Sequence, residues 1–563
     1  MPAIRVTLVN NVKQTQKTVL LIPSSTTPDP SAPNSCKTLI LSCAKSKFQS
    51  KKASRVYDAK GRELQTTEEW QQALRNDAVL LVSKGDEDYI GASEDEKKAL
   101  SLSELSLNEK ACPIVRLDHD ADVDPLSIKQ METTAVSLPG IVHAVGQPDL
   151  HPGTKYPIGG VFVSRGWIHP PLIGGDIGCG MAWYKTSLGA NQVEGDRCRK
   201  IADSLRGLEG PWRSQAEREA WLRDGEDGSS ASAGEQWDKA LGTIGAGNHF
   251  AELQLVEDCD SQVQGMATGD VVLLVHSGSR GYGGDILRRF TQNGRESLAE
   301  VDAAPYLSEH DRACVWASRN RDLIALRFLS LLEPGNPDWD LGTSDAGDEA
   351  STEQIRSTFT AIQGRKVVDI WHNNIERASW PPPHQEQHPQ DESRTKAGIP
   401  SPAFIHRKGA APTLHPSTHQ PLNILPLPGS RATPTLILHP TFRPDNTFGE
   451  LNALSLAHGA GRARSRADAS KYVAQKYAGR AEDLLRGDYA PLDRQGNKKV
   501  EVREGRDVRG GTWVVCEERA LVWEEAAEAY KDVWAVGDVL VRAGCAEVWG
   551  WCRGRVSYKV RKV

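Results

Sequence analysis

Potential metal ligands in this sequence lie in short glycine-rich turns and not inside long helices, so a metal site here must be built from loops. The first turn reads Gly174-Gly175-Asp176-Ile177-Gly178-Cys179-Gly180. Glycine permits close backbone approach and positive φ, so Asp176 and Cys179 can face one site. A carboxylate with a thiolate favours a borderline transition metal over calcium or magnesium. Alone, the Asp-x-x-Cys pair is weak, because most cysteines are ordinary buried residues.

Six further turns carry residues of the same kind, at 245–252, 275–281, 371–374, 405–410, 427–430 and 457–466. His249 and Glu252 align if a helical turn follows and diverge on a strand. His276 and the Ser-Gly-Ser-Arg-Gly run after it form a candidate anion cradle. His458 precedes a Gly-x-Gly turn and three arginines, and a histidine in a phosphate-rich pocket can attack phosphorus. The ordinary alternatives are a capped turn, a core histidine and a solvated basic helix start.

The length of 563 residues predicts two or more domains. Residues 1–95 read as strand, strand, helix, strand, strand, which predicts a small ubiquitin-like β-grasp domain, with a weaker doublecortin-like pattern. A generic α+β adaptor is the alternative. Residues 96–114 have linker composition, and a glycine-rich α/β domain is expected over 115–563.

Within the larger domain, apolar spacing predicts helices over 309–332 and 466–485 and a buried strand over 271–275 that carries His276 at its end. Three stretches near 224–234, 334–352 and 379–398 are polar or proline-rich. Their composition predicts disordered inserts that do not join the core.

Bulk properties exclude some classes. No apolar run approaches the roughly 20 residues that a membrane span needs, and the first residues lack a signal peptide, so an intracellular protein, cytoplasmic or nuclear, is expected. The ten cysteines contain no CxxC pair and suit free thiols. The net charge of -6 does not support RNA binding, and a local basic groove remains compatible with it.

Taken in order, the turns resemble the RtcB family of RNA ligases. The resemblance begins at Gln147-Pro148-Asp149-Leu150-His151-Pro152-Gly153 and extends over roughly 115–563. Many motifs in the right order are more specific than any single motif. The Gly-Gly-Asp-Ile-Gly-Cys-Gly-Met variant is similar to the branch coupled to release factor H, which implies RNA repair as an alternative to tRNA splicing.

The resemblance implies an α/β RtcB-like fold and an enzyme that joins RNA 3′-phosphate or 2′,3′-cyclic-phosphate ends to 5′-hydroxyl ends. It implies GTP and two Mn²⁺ ions as cofactors and a guanylyl-histidine intermediate. RNA is the expected partner, and a protein partner is a further expectation for the N-terminal domain. His458 matches the histidine that carries GMP. The implied manganese ligands are Asp176, Cys179, His249, His276 and His372, with Cys179 bridging or central. The implied nucleotide contacts are Asn248, Glu252, Ser430, Gly459, Gly461, Arg462 and Lys559, with Lys562 as a second match for the terminal lysine.

The sequence departs from the family pattern near the nucleotide site. Ala432 stands where a glycine is usual, Ala411 and Pro412 replace part of another motif, and no cysteine precedes His458 in the segment 455–457. Two other functions compete with the ligase. One is a metal-dependent phosphoesterase, because the same ligands can activate water. The other is a non-catalytic RNA- or ribosome-binding module, which the presence of both Cys179 and His458 disfavours.

Overall fold

The chain divides into two compact units, Met1–Glu109 and Lys110–Val563. The computed structural model describes residues 4–11, 16–23, 25–48, 52–58, 62–74, 78–84, 112–117, 123–223, 229–341, 350–383, 400–416, 418–486, 502–503, 506–507, 511–516 and 518–559. The predicted linker and Lys562 lie largely or wholly outside these residues.

The N-terminal unit is a four-stranded sheet with two helices. Its elements are β1 (Ile4–Asn10), β2 (Lys17–Ile22), α1 (Cys36–Lys47), β3 (Ala53–Asp58), α2 (Thr67–Ala73) and β4 (Ala78–Lys84). The strand order is β2-β1-β4-β3, and the central pair β1 and β4 is parallel. Leu8, Ile40 and Trp70 are fully buried between sheet and helices. The sequence predicted the four strands and α1, and it did not predict α2.

The second unit is a mixed α/β fold, as the sequence predicted. Its strands are β5 (Ile114–Arg116), β6 (Ile141–His151), β7 (Ile158–Ser164), β8 (Trp167–Ile168), β9 (Gly180–Gly189), β10 (Phe250–Cys259), β11 (Asp270–Ser277), β12 (Leu298–Ala299), β13 (Lys366–Trp371), β14 (Asn373–Trp380), β15 (Ser401–Lys408), β16 (Ala410–Pro412), β17 (Leu425–Pro428), β18 (Thr435–Pro440), β19 (Ser455–Ala457), β20 (Val502–Arg503), β21 (Arg506–Asp507), β22 (Trp513–Val515) and β23 (Ala546–Tyr558).

Helices cover the sheets of this unit. They are α3 (Pro125–Ser137), α4 (Pro170–Ile173), α5 (Asp196–Ser204), α6 (Gln215–Leu222), α7 (Glu235–Asp238), α8 (Gly281–Phe290), α9 (Ala304–Leu332), α10 (Thr352–Arg365), α11 (Arg466–Lys476), α12 (Arg519–Glu524) and α13 (Val533–Arg542). None of the helices in the described part of the chain has both the length and the apolar character needed to span a bilayer.

Two sheets form the centre of the unit. The larger has the order β13-β9-β11-β10-β23-β18-β17, with β22 also paired to β23, and the smaller has the order β14-β15-β7-β6-β5. Alternate residues of β11 pack on opposite sides: Val271, Leu273 and Val275 belong to the cluster that includes α9, and Val272 and Leu274 to the cluster shared with the smaller sheet. This two-sided burial explains the continuous apolar run in the sequence.

The larger sheet brings the glycine-rich turns next to β9, β10, β11 and β13 to one edge. Gly180 at the start of β9 pairs with Ser277 at the end of β11 and with Trp371 at the end of β13. Phe250 at the start of β10 pairs with His276. Because neighbouring strands here are antiparallel, these starts and ends lie at the same edge.

The prediction that the inserts stay out of the core was wrong where the structure describes them. Ala231, Trp339, Leu341 and Trp380 are all buried within the two main apolar clusters. A few apolar side chains are enough to anchor an otherwise polar stretch, because each buried side chain contributes its own favourable transfer free energy. The remaining parts, at 224–228, 342–349 and 384–399, lie outside the described residues. The helix predicted over 466–485 is also shorter, since α11 ends at Lys476.

Candidate metal and nucleotide site

A thiol and three imidazoles converge at the edge of the larger sheet. The Sγ atom of Cys179 lies 3.2 Å from Nε2 of His249, 3.4 Å from Nε2 of His276 and 3.2 Å from Nε2 of His372. The Nε2 atoms of His276 and His372 are 3.3 Å apart. All four side chains are buried. Cys179 is therefore central to the cluster.

The donor atoms suit a metal ion. Nδ1 of His249 donates to the carbonyl oxygen of Ile244 at 3.1 Å, which fixes the ring with Nε2 directed at Cys179 and Asp176. Burial and the neighbouring histidines hold the pKa values of His276 and His372 well below the usual range, so both imidazoles are neutral ligands. Burial, with Asp176 nearby, raises the pKa of Cys179 well above its usual value, so the thiol needs a cation to ionise. Imidazole and thiolate donors together fit a borderline transition metal.

Asp176 joins the cluster through His249. Its Oδ2 lies 2.8 Å from Nε2 of His249, and although burial opposes the shift, His249 lowers the pKa of this carboxyl. The backbone of Gly278 passes close by, since a Cβ atom there would meet Oδ1 of Asp176 at 2.2 Å. This close approach explains a glycine between the two serines of the 277–279 run.

The anion cradle expected after His276 is only partly available. The hydroxyl of Ser277 donates to the carbonyl oxygen of Ile244, and Nε of Arg280 donates to the hydroxyl of Thr243 at 3.1 Å. These groups hold the turn beside the cluster. The run thus has a structural task in addition to any ligand contact.

His458 follows β19 directly and stands beside the cluster. Its ring centroid is 4.6 Å from that of His372. Nδ1 of His458 lies 2.7 Å from Oδ2 of Asp149, whose side chain is fully buried. This contact places the ring proton on Nδ1 and leaves Nε2 with a free lone pair. Gly409 leaves room for the ring, since a Cβ atom there would lie 2.9 Å from Cε1.

A cavity opens at His458 and contains every nucleotide contact implied by the resemblance. These residues are Asn248, Glu252, Ser430, Gly459, Gly461, Arg462 and Lys559. His249 and Glu252 diverge as expected for a strand: His249 precedes β10 and joins the thiol-imidazole cluster, whereas Glu252 lies within β10 opposite Ser557 of β23. His276 of the thiol-imidazole cluster and His458 beside it also line the cavity. The cluster and the cavity are therefore parts of one site.

Glu525 lies at the far wall of the cavity and binds several of the residues that line it. The sequence analysis did not predict this role. Its carboxylate accepts from Nη1 of Arg462 at 3.2 Å and from the hydroxyl of Tyr530, and it pairs with Nζ of Lys559 at 3.4 Å. The hydroxyl of Ser430 donates to the backbone oxygen of Glu525 at 2.8 Å. One acidic residue thus holds three of the expected nucleotide contacts.

Burial changes the ionisation of two cavity residues. It raises the pKa of Glu252 to about 7. It also lowers the pKa of Lys559, against the opposing effect of Glu525. Both groups therefore sit in surroundings that disfavour charge until a polar ligand enters.

The loop around Ser430 departs from the family pattern at a strained position. Ala432 has a φ of 62°, in the region where only glycine is free of the Cβ clash. Nη2 of Arg431 in the same loop donates to the backbone oxygen of Val522. The loop keeps a left-handed turn there in spite of the alanine.

The remaining histidine of these turns, His406, does not join the site. Nε2 of His406 accepts from the backbone N–H of His169 at 3.0 Å, so the histidine of the 405–410 turn is a core residue. Asp149, by contrast, lies in the motif that begins the family resemblance, and this was the available signal for its role. No sequence signal distinguished Glu525 from the other acidic residues near it.

Comparisons with known proteins show which family this chain resembles. The family model described as tRNA-splicing ligase RtcB matches residues 130–211 and 209–485. The chain is 33% identical over 433 residues to the RNA-splicing ligase RtcB2 of Escherichia coli, covering 76% of this chain and 89% of that protein. It is 26% identical over 509 residues to the tRNA-splicing ligase RtcB of Methanococcus maripaludis, covering 80% and 95%. With the protein of the same name from Archaeoglobus fulgidus it shares 27% over 474 residues, covering 74% and 88%.

Proposed function

This chain belongs to the RtcB family, and on that premise we propose that it is an RNA ligase that joins 3′-phosphate or 2′,3′-cyclic-phosphate ends to 5′-hydroxyl ends. The proposed cofactors are GTP and Mn²⁺, and the proposed route passes through GMP linked to His458. The reaction serves tRNA splicing or RNA repair.

One observation carries this proposal: an imidazole with a free nitrogen stands against a buried thiol-imidazole cluster at the mouth of a cavity. Asp149 orients His458, and the ring of His372 lies beside it. Hydrolysis by metal-activated water has no need of such a histidine. The arrangement therefore favours nucleotidyl transfer over the phosphoesterase alternative.

The proposed ligands of two manganese ions are Asp176, Cys179, His249, His276 and His372, and bound manganese would neutralise phosphate charge next to His458. Nε2 of His458 is the proposed nucleophile, with its proton-bearing Nδ1 held by Asp149. Asn248, Gly459 and Gly461 line the cavity where phosphates are proposed to bind, and Arg462 supplies positive charge.

Guanine is proposed to bind at the wall formed by Glu252, Ser430 and Lys559. A carboxylate accepts hydrogen bonds from ring and exocyclic N–H groups, whereas the lysine donates to a carbonyl. The hydroxyl of Ser430, which donates to Glu525, can accept a further hydrogen bond. The raised pKa of Glu252, about 7, places its carboxyl near the point of ionisation at neutral pH. A ligand that donates two hydrogen bonds would therefore favour the charged form.

Incubation with α-labelled GTP and manganese, followed by denaturing electrophoresis, tests the proposal. Acid-labile label is expected on the wild type and not on His458→Asn. His439→Asn is the matched control, because His439 stacks on Trp549 at 3.7 Å between centroids and takes no part in the site. Label on His458→Asn, or no label on manganese-loaded wild type, contradicts the proposed route. Ligation of a 3′-phosphate RNA to a 5′-hydroxyl RNA then tests the overall reaction.

For the N-terminal unit we propose a ubiquitin-like β-grasp domain over 1–95, joined through 96–114 to the ligase domain over 115–563. The mixed sheet with a parallel central pair, β1 and β4, supports this topology. The doublecortin-like alternative has the same elements. The proposed task of this unit is to bind a protein partner, and deletion of 1–95 is expected to leave guanylylation of His458 intact.

A further inference from the structure

Tyr472 is the one tyrosine, tryptophan or phenylalanine in the described ranges whose side chain is exposed. Its relative exposure is 42%. It projects from α11 beside Ala469 and Val473, the buried residues of that helix. Because residues three apart on a helix are neighbours, Tyr472 stands at the border of the buried face and keeps part of its ring in solvent.

A cation covers the ring of Tyr472. The guanidinium carbon of Arg464 lies 4.2 Å from the ring centroid, within the range of a cation–π contact. Arg464 is itself exposed. Arg464, backed by the ring of Tyr472, thus presents a flat cationic group to the solvent.

This pair is joined along the chain to two arginines that line the cavity. Arg462, two residues before Arg464, points inward and is bound to Glu525, whereas Arg466, two residues after it, lines the cavity while remaining exposed. Arg466 also lies against Gly247, since a Cβ atom there would be 3.2 Å from Nη2. The three arginines therefore lead from the inside of the cavity to the surface.

Two acidic side chains near Tyr472 have hydrogen-bond or ion-pair partners within the protein. Asp468 accepts from the hydroxyl of Ser465 at 2.6 Å, and Glu528 pairs with Lys476 at 2.6 Å. Lys471 adds another exposed amine beside Tyr472. The surface is consequently suited to an anion with flat, stackable groups.

We propose that Tyr472 and Arg464 form a stacking platform for a base of the RNA substrate, a few nucleotides from the reacting end. Tyr472 is six residues beyond Arg466, which is roughly 9 Å along a helix. Single-stranded RNA is commonly held by aromatic rings for its bases and arginines for its backbone. This inference rests on the proposed ligase function and adds a subsite outside the cavity.

Fluorescence anisotropy with a labelled single-stranded RNA that ends in a 3′-phosphate, without GTP, tests the platform. Tyr472→Ala is expected to weaken RNA binding about 5- to 150-fold, which corresponds to the free energy lost when a stacking ring is removed, and Tyr472→Phe is expected to retain binding. Arg206→Ala serves as control, because Arg206 is exposed and paired with Asp203. Binding by Tyr472→Ala within twofold of wild type would overturn the proposal.

A series of RNAs with one abasic nucleotide at successive positions locates the stacked base. Wild-type binding should fall at one position a few nucleotides from the 3′-phosphate, and Tyr472→Ala should lose this sensitivity. An equal effect at all positions, or the same profile in both proteins, would refute a stacking role. GTP-dependent labelling of His458 without RNA is measured in parallel. Labelling without an abasic-sensitive position contradicts the platform alone, whereas absence of labelling contradicts the proposed function.

Discussion

Replacement of Asp149 by asparagine is expected to slow guanylylation of His458 without removing the binding of manganese or GTP. The side chain of Asp149 is fully buried, and its Oδ2 lies 2.7 Å from Nδ1 of His458. Asparagine has nearly the same volume, so it fits between Gly159, which lies against the carboxylate, and Gly461, which lies against the Cβ and backbone oxygen of Asp149. The change therefore alters the hydrogen bond and not the packing.

The size of the effect follows from the bond that is altered. A hydrogen bond to a charged group contributes about 1.5–3 kcal/mol, and each 1.36 kcal/mol is a factor of ten in rate. The single-turnover rate should fall about 10- to 150-fold on this basis. An amide N–H that turns towards Nδ1 would also favour the proton on Nε2, which would block the nucleophile and increase the loss.

The assay is single-turnover labelling with α-labelled GTP at saturating manganese, together with equilibrium binding of both. Asp311→Asn is a matched control, because Oδ1 of Asp311 lies 2.8 Å from Nδ1 of His310, a second buried histidine outside the cavity. Asp311→Asn should retain the rate within about twofold, a change of well under 1.36 kcal/mol. Equal rates for wild type and Asp149→Asn would refute the positioning of His458 by Asp149. Loss of metal binding in Asp149→Asn would refute it equally.

Three further changes test the metal ligands, the loop and the cavity. Cys179→Ala should lower manganese affinity at least about tenfold in calorimetric titration, whereas Cys552→Ala, at another buried cysteine, should not. Ala432→Gly should raise the free energy of unfolding by up to about 1 kcal/mol in urea, because the backbone at a φ of 62° then loses its Cβ clash; a decrease would contradict that reason. The pKa of Glu252, about 7 when buried against 4.5 as a free carboxyl, means that the folded chain keeps a proton that the unfolded chain releases between these values. The contribution of Glu252 to stability therefore decreases as pH rises through this window, by about 3 kcal/mol. Glu252→Gln should show a flatter decline from pH 5 to 7.5, and parallel curves would contradict the raised pKa.

The ligand turns could be predicted from the sequence because their chemistry is local. Cys179, His276 and His458 stand beside glycines in short segments that few other tasks require. The segments of Cys179 and His276 begin or end neighbouring strands, so the antiparallel sheet delivers them to one edge, whereas His458 follows β19 of a separate two-stranded sheet. A continuous apolar run was likewise enough to identify β11, since both faces of that strand are buried.

The inserts illustrate where composition is insufficient. Residues 334–352 average as polar, but Trp339 and Leu341 are 6% exposed and anchor the segment to the core. An average over a window dilutes two apolar side chains among many polar ones. The free energy of burial depends on those two side chains and not on the average.

Glu525 could not have been found from the sequence for a related reason. It belongs to an acidic stretch that also includes Glu517, Glu518, Glu524 and Glu528, and nothing local separates it from them. Its place is set by α12 and by contacts with Arg462 and Lys559, which are 63 and 34 residues away along the chain. A carboxylate that neutralises cations at a ligand site has no required neighbours in sequence, only in space. The wall of such a cavity is therefore the part of the site that a sequence motif specifies least.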